Sequence, residues 1–183
     1  ISEEEEALLT YVGANFENVI VVLNTEYAME RGFLETIPGL DACLNAVWTG
    51  TRGASALPSL IWGDVSPSAK TVDTYAYDTR TNPTYAYAGK ATTFTNGDPG
   101  ICLNRYIDYT EGIYVGYKWY ETADAEGVWS NVDNGYGKGY EGVVQYPFGY
   151  GLSYTTFGWD IESVTVDGEE VNLSGPAEIT EKS

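Results

Sequence analysis

Acid–base chemistry in this sequence has to come from groups other than imidazole. Its 183 residues include 27 Asp and Glu, 16 Tyr, 9 Lys and Arg, 2 Cys and no His. Ser-His-Asp and Cys-His nucleophiles and every imidazole metal site are therefore excluded, which leaves carboxylates, Tyr, Lys and Cys to move protons. Ligands of open α/β sheets lie beyond the carboxyl ends of the strands. The residues to watch are thus Asn24, Thr25 and Glu26 after one apolar run, and Trp48, Thr49 and Arg52 after the next. Glu111, before "GIYVGY", reads as a structural hydrogen-bonding or helix-start residue. Cys43 and Cys102 have no zinc spacing and read as two reduced, buried thiols, with a disulfide between them left open.

The elements that would position these residues are legible in the pattern. Ser2 followed by Glu5 is a capping box, and Glu3, Glu4, Glu5 and Glu6 complement the dipole of a first helical turn. The stripe Ala7, Leu8, Tyr11, Val12 and Phe16 predicts a helix over about 3–15. "NVIVVLN" (18–24) and "LDACLNAVW" (40–48) read as strands of a parallel sheet, the first covered on both faces and the second buried. "AMERGFLET" reads as a short helix, and "GASALPSLIWG" as another that Gly63 closes. Strand and helix alternate, so the fold class is α/β with a mostly parallel sheet.

Residues 64–108 form a long, irregular, Tyr- and Thr-rich excursion whose aromatic content argues for order. Its Tyr75, Tyr77, Tyr85 and Tyr87 read as clamps holding the loop to the domain in preference to a glycan-stacking strip. "EGIYVGYKWYETA" (111–123) fits a strand or a short helix. Asp167-Gly168 marks a hairpin, the start of a separate β-unit.

A net charge of -18 repels nucleic acid and anionic membrane surfaces. No signal peptide or membrane span is visible, and the chain reads as an excised piece of a longer protein. No cofactor is expected.

The ordered motifs "NVIVVLN", "AVWTGTRGASALPSLIWGDVSPSAKT", "YTEGIYVGYKWYE" and "YPFGYGLSYTTF" resemble the C-terminal α/β sandwich domain of glycoside hydrolase family 3, the β-glucosidases and β-xylosidases. The resemblance covers about residues 4–157. It implies a three-layer sandwich over 1–157, followed at 158–183 by the start of a fibronectin-type-III-like β-unit. Two turns depart from the family pattern: Thr49, Gly50, Thr51, Arg52, Gly53 stand where Pro-Gly-Gln-Glu-Gly is usual, and Ala69 stands where the family has Gly before a basic residue. These departures bear on substrate preference more than on fold.

Retaining glycoside hydrolysis uses two carboxylates about 5–5.5 Å apart. The resemblance puts the nucleophilic Asp on an N-terminal barrel domain and the acid/base Glu upstream of the "VVLN" strand, both before Ile1. The expectation is then a fragment of a retaining β-glycosidase with no catalytic residue of its own. It would supply a wall of the site for a β-linked oligosaccharide or glucoside, through Asn24, Glu26, Trp48 and Arg52, and would pack against the missing barrel. In that role Glu26 would accept a substrate hydroxyl, although a solvated loop carboxylate is the plainer reading. Trp48 would stack on a sugar face or pack in the core at a strand end. The alternative is a free-standing carbohydrate-binding or structural domain. A fragment should expose apolar, barrel-facing surface, whereas a self-sufficient binder should leave open only a narrow aromatic strip.

Overall fold

The first helix, α1 (Glu3–Asn15), begins as its sequence dictates: Glu5 N donates to Ser2 Oγ (3.2 Å), and Ser2 N donates to Glu5 Oε2 (2.8 Å). This is a computed structural model describing residues 1–86, 92–94, 104–106, 111–158 and 160–171. In the first turn, backbone and Ser2 hydrogen bonds hold the Glu4 carboxyl below its usual range. The apolar stripe of α1 does not face a core. Leu8 is 60% exposed, Tyr11 and Phe16 are equally open, and the helix is held instead by backbone approach at Gly13. A Cβ at Gly13 would overlap the Pro38 carbonyl, and one at Gly39, which sits at φ +82°, would overlap the Gly13 carbonyl.

Strands β1 (Ile20–Leu23) and β2 (Ala42–Asn45) pair in parallel, with Ile20 opposite Ala42 and Leu23 opposite Asn45. Asp41 Oδ2 accepts from Val19 N (2.8 Å) and anchors the start of the pair. The expectation of cover on both faces fails: Val21 is buried while Ile20 and Val22, on the opposite face, are exposed. Cys43 likewise is exposed, contrary to a buried thiol, because it shares the strand end left open. Even so, neighbouring groups desolvate its sulfur and push the thiol up, with Arg31 opposing the shift.

Only α2 (Phe33–Thr36) forms within "AMERGFLET". A Cβ at Gly32 would meet the Tyr136 hydroxyl, and Arg31 just before it is buried. "GASALPSLIWG" is helical in pieces, α3 (Gly50–Gly53), a 3-10 turn (Ala54–Ala56) and α4 (Leu57–Ile61), and Gly63 at φ +79° ends it as expected.

A second region packs the excursion against the C-terminal third. Strand β3 (Tyr75–Ala76) pairs antiparallel with a later strand, Val144–Tyr146, while β4 (Thr92–Phe94) pairs with β5 (Asn104–Tyr106). The ambiguous "EGIYVGYKWYETA" resolves as a helix, α5 (Tyr117–Ala125), launched from Gly116 at φ +58°. Tyr120 and Ala123 of α5 join Ala76, Trp129, Val143 and Val144 in the core. Trp129 Nε1 donates to the Tyr120 carbonyl (3.2 Å), and Trp119 Nε1 to that of Thr81 (2.9 Å). Val144–Tyr146 is β6, and the final hairpin is β7 (Thr165–Val166) with β8 (Glu169–Glu170). Asp167 and Gly168 at φ 54° and 88° make the turn that Asp-Gly favours. The fold is therefore α/β, and among the described residues its sheets are two-stranded, one parallel and three antiparallel.

The aromatic, glycine-broken stretch 146–157 is a seam. Gly149 N donates to Thr71 O (2.8 Å) and Thr71 N to Tyr150 O (2.7 Å). The Thr71 hydroxyl donates to Pro147 O (2.7 Å) and accepts from Tyr150 N (2.9 Å). Lys70 Nζ donates to Gly151 O, Ser66 and Ser153 hydroxyls meet at 2.8 Å, and the Tyr154 hydroxyl donates to Leu60 O (2.7 Å). Backbone contact fixes residues 60–71 to 147–154, while Phe157 stays open to solvent.

Candidate functional site

The parallel register of β1 and β2 brings both following loops to one sheet edge, and Ala46 N donates to Leu23 O (2.8 Å) just past the ladder. Val47 then takes φ +53°, a left-handed conformation that costs a non-glycine residue roughly 1–2 kcal/mol. Trp48 follows it and is 75% exposed, which removes core packing as its role. Gly50 at φ +59° opens α3, which carries Arg52. The Arg52 carbonyl accepts from Ser55 Oγ (2.7 Å), and its guanidinium is exposed.

On the other loop Asn24 and Glu26 are exposed, and Thr25 Oγ1 accepts a long bond from Tyr27 N (3.4 Å). Asn24, Glu26, Trp48 and Arg52 thus belong to loops leaving one edge, and no hydrogen bond or ion pair joins their side chains among the described residues. An open indole, an amide and a guanidinium make a surface that can bind a neutral polar ligand. A general acid or nucleophile needs a carboxyl held in place, and among the described residues no hydrogen bond or ion pair holds Glu26.

Behind this edge lies a residue that the sequence reading missed. Arg31 is only 3% exposed and has no carboxylate partner among the described residues. Its guanidinium lies 3.9 Å over the Tyr75 ring and Nη2 donates to Asn45 Oδ1 (3.2 Å), while Nε has no partner among the described residues. The Arg31 carbonyl accepts from Gln145 Nε2 (3.1 Å), which also donates to Glu35 Oε1 (2.7 Å). The available signal was rarity, an Arg beside Gly32 in a chain with 9 basic residues.

Tyr75 and Tyr77 act as clamps, whereas Tyr85 is half-exposed. Tyr75 is buried beneath Arg31, and Tyr77 stacks on Tyr136 at 3.9 Å and donates to Glu35 (3.0 Å). Burial, then the Glu35 carboxylate, push the Tyr77 phenol well up. Tyr87 and Cys102 lie outside the described residues. Glu111 is buried and structural: its carbonyl accepts from Tyr114 N (2.9 Å), and its Oε1 lies 3.2 Å from Thr84 Oγ1. Among the described residues no group of three Cys, Asp or Glu could hold a metal ion, and no helix is long and apolar enough to cross a membrane.

A family model described as the glycosyl hydrolase family 3 C-terminal domain matches residues 1–117. The chain belongs to glycosyl hydrolase family 3. This family 3 domain is 32% identical over 157 residues to beta-glucosidase A of Butyrivibrio fibrisolvens, an alignment covering 86% of the chain and 16% of that protein. It is 30% identical to a beta-glucosidase of Ruminococcus albus, covering 86% of the chain and 13% of the relative. It is also 34% identical to an exo-alpha-(1->6)-L-arabinopyranosidase of Bifidobacterium longum, covering 82% of the chain and 16% of the relative. The chain spans about one-sixth or less of the length of these three relatives. They do not share one sugar in name, so family membership leaves the sugar open.

Proposed function

We propose that this family 3 domain is part of a retaining β-glycosidase of β-glucosidase type, in which it forms one wall of the sugar site and a packing surface for an N-terminal barrel. The nucleophilic Asp and the acid/base Glu belong to the parent protein outside residues 1–183, so the chain alone does not hydrolyse glycosides. The parallel pair β1 and β2 would form part of a three-layer α/β sandwich over 1–157, and the hairpin at 165–170 would open a fibronectin-type-III-like unit. The substrate class is a β-linked oligosaccharide or glucoside. Trp48 stacks on a sugar ring face, Asn24 and Arg52 donate to hydroxyls, and Glu26 accepts from one.

The observation that carries this reading is the extent of apolar exposure. Trp48, Trp62, Leu152 and Phe157 are each at least 75% exposed, α1 and β1 leave further apolar groups open, and among the described residues no large side chain is fully buried. Large exposed apolar surface marks a site of contact with another body. It is broader than the narrow aromatic strip of a self-sufficient sugar-binding module.

The test uses the parent enzyme. Trp48→Ala is expected to raise KM for an aryl β-glucoside about fivefold to tenfold, the scale of a lost ring contact of about 1 kcal/mol, with a smaller change in kcat. Wild-type values of KM and kcat in both Trp48→Ala and Arg52→Ala would contradict the proposed wall.

A further inference from the structure

Beside the sheet edge, the excursion, the loop after β1 and Tyr120 of α5 line a half-open cleft of about 220 Å³. Ala28 and Met29, on the loop leaving β1, form part of its lining; Asp73, Thr74, Asn82 and Tyr85 supply the groups that matter to recognition. It includes none of Asn24, Glu26, Trp48 and Arg52. From these groups we infer a second binding site, for a single uncharged polyhydroxylated ring such as a hexopyranose.

Size limits the ligand first. The volume holds about seven waters at liquid density, room for one sugar ring. Charge limits it next: Asp73 and a net charge of -18 disfavour anions, and no cluster among the described residues could hold a metal ion.

The polar lining has capacity to spare. Asn82 Oδ1 is committed, accepting from Thr84 N (2.9 Å) and Thr84 Oγ1 (2.7 Å), which leaves its amide N–H groups to donate outward. Asp73 Oδ1 accepts from Thr74 N (2.8 Å), and its second oxygen remains an acceptor. Thr74 is 94% buried, and among the described residues its hydroxyl has no partner in the present rotamer. Turning that hydroxyl toward the cleft by χ1 rotation therefore breaks no hydrogen bond. Half-exposed Tyr85, with Met29 and Ala28, offers the apolar side that the C–H face of a pyranose needs. Donors, an acceptor and one apolar wall in a ring-sized cleft together match a neutral sugar.

The inference does not rest on the proposed glycosidase, and its test separates the two. Methyl β-glucopyranoside is titrated into the 183-residue chain by calorimetry and ligand-observed NMR, with far-UV circular dichroism confirming that each variant folds. Saturable millimolar binding is expected, weakened about fivefold or more by Asp73→Asn and by Asn82→Ala, the scale of one lost hydrogen bond, and unchanged by Glu169→Gln on the exposed strand β8. Should Asn82→Ala fail to fold, Tyr85→Leu takes its place with the same expectation. Absence of saturable binding to the wild-type chain would overturn the inference. So would affinity indifferent to the cleft variants, or weakened as much by Glu169→Gln as by them.

Discussion

Replacing Thr71 by Val keeps the side-chain shape and removes one hydroxyl from the seam that joins residues 60–71 to 147–154. That hydroxyl donates to Pro147 O at 2.7 Å and accepts from Tyr150 N at 2.9 Å. Each bond contributes roughly 1 kcal/mol when its loss leaves a partner unpaired. The Tyr150 amide and the Pro147 carbonyl still pair with each other at 3.1 Å, so each loss is partial, roughly half to three-quarters of a bond. The expected destabilisation is therefore about 1–1.5 kcal/mol. With a urea m-value of about 2 kcal/mol/M, the midpoint falls by roughly 0.5–0.75 M at constant m, and Thr71→Ser recovers most of the loss. Gly149→Ala, which forces an L-residue to φ +81° with no steric overlap, should cost a similar 1–2 kcal/mol through the backbone alone. A Thr71→Val midpoint within about 0.1 M of wild type would refute the claim that hydrogen bonding holds the seam, leaving ring contacts such as Tyr117 on Phe148 (4.5 Å) to do so.

Three further outcomes follow from the same structure. Gly39→Ala combines a φ of +82° with overlap on the Gly13 carbonyl, so its destabilisation should exceed that of Gly149→Ala in the same urea titration. Arg31→Lys should be more destabilising than Arg31→Met in thermal unfolding, because Lys keeps a buried charge and loses the planar contact with Tyr75, whereas Met fills the space without charge. The Tyr77, Tyr120, Tyr140 and Tyr146 phenols are all pushed up, first by burial, with Glu35 adding to Tyr77 and Tyr146 and Glu121 to Tyr140. The native state then keeps protons that the unfolded chain releases from about pH 10. Their contribution is whole below that pH and is lost as pH rises above it. Stability measured by urea titration should fall above pH 10, and less steeply in Tyr77→Phe and Tyr140→Phe.

What the sequence made legible divides by the range of the interactions. The capping box at Ser2 and Glu5, the Gly63 stop and the Asp167-Gly168 hairpin are local and form where the residues indicate. β1 and β2 follow from their β-branched and apolar runs. Their burial does not follow, because it depends on what packs against each face: Ile20, Val22 and Cys43 are open. The α1 stripe misled for a related reason, since Gly13 meets Gly39 through the backbone and apolar periodicity does not report such contact. Arg31 was illegible because its partners, Asn45, Tyr75 and Gln145, are distant in sequence. Among the candidate wall residues, Trp48 shows the same limit. Its place after a strand was readable, but its outward projection follows Val47 in a left-handed conformation that no β-branched residue favours.

The central claim is that this domain shapes a sugar site whose catalytic carboxylates lie elsewhere in the parent protein. Turnover of an aryl β-glucoside by the purified 183-residue chain, measured beside the full-length parent enzyme, tests it most directly. The account predicts hydrolysis by the parent and none above the uncatalysed rate by the chain. Turnover by the chain that Glu26→Gln or Glu111→Gln abolishes would contradict it.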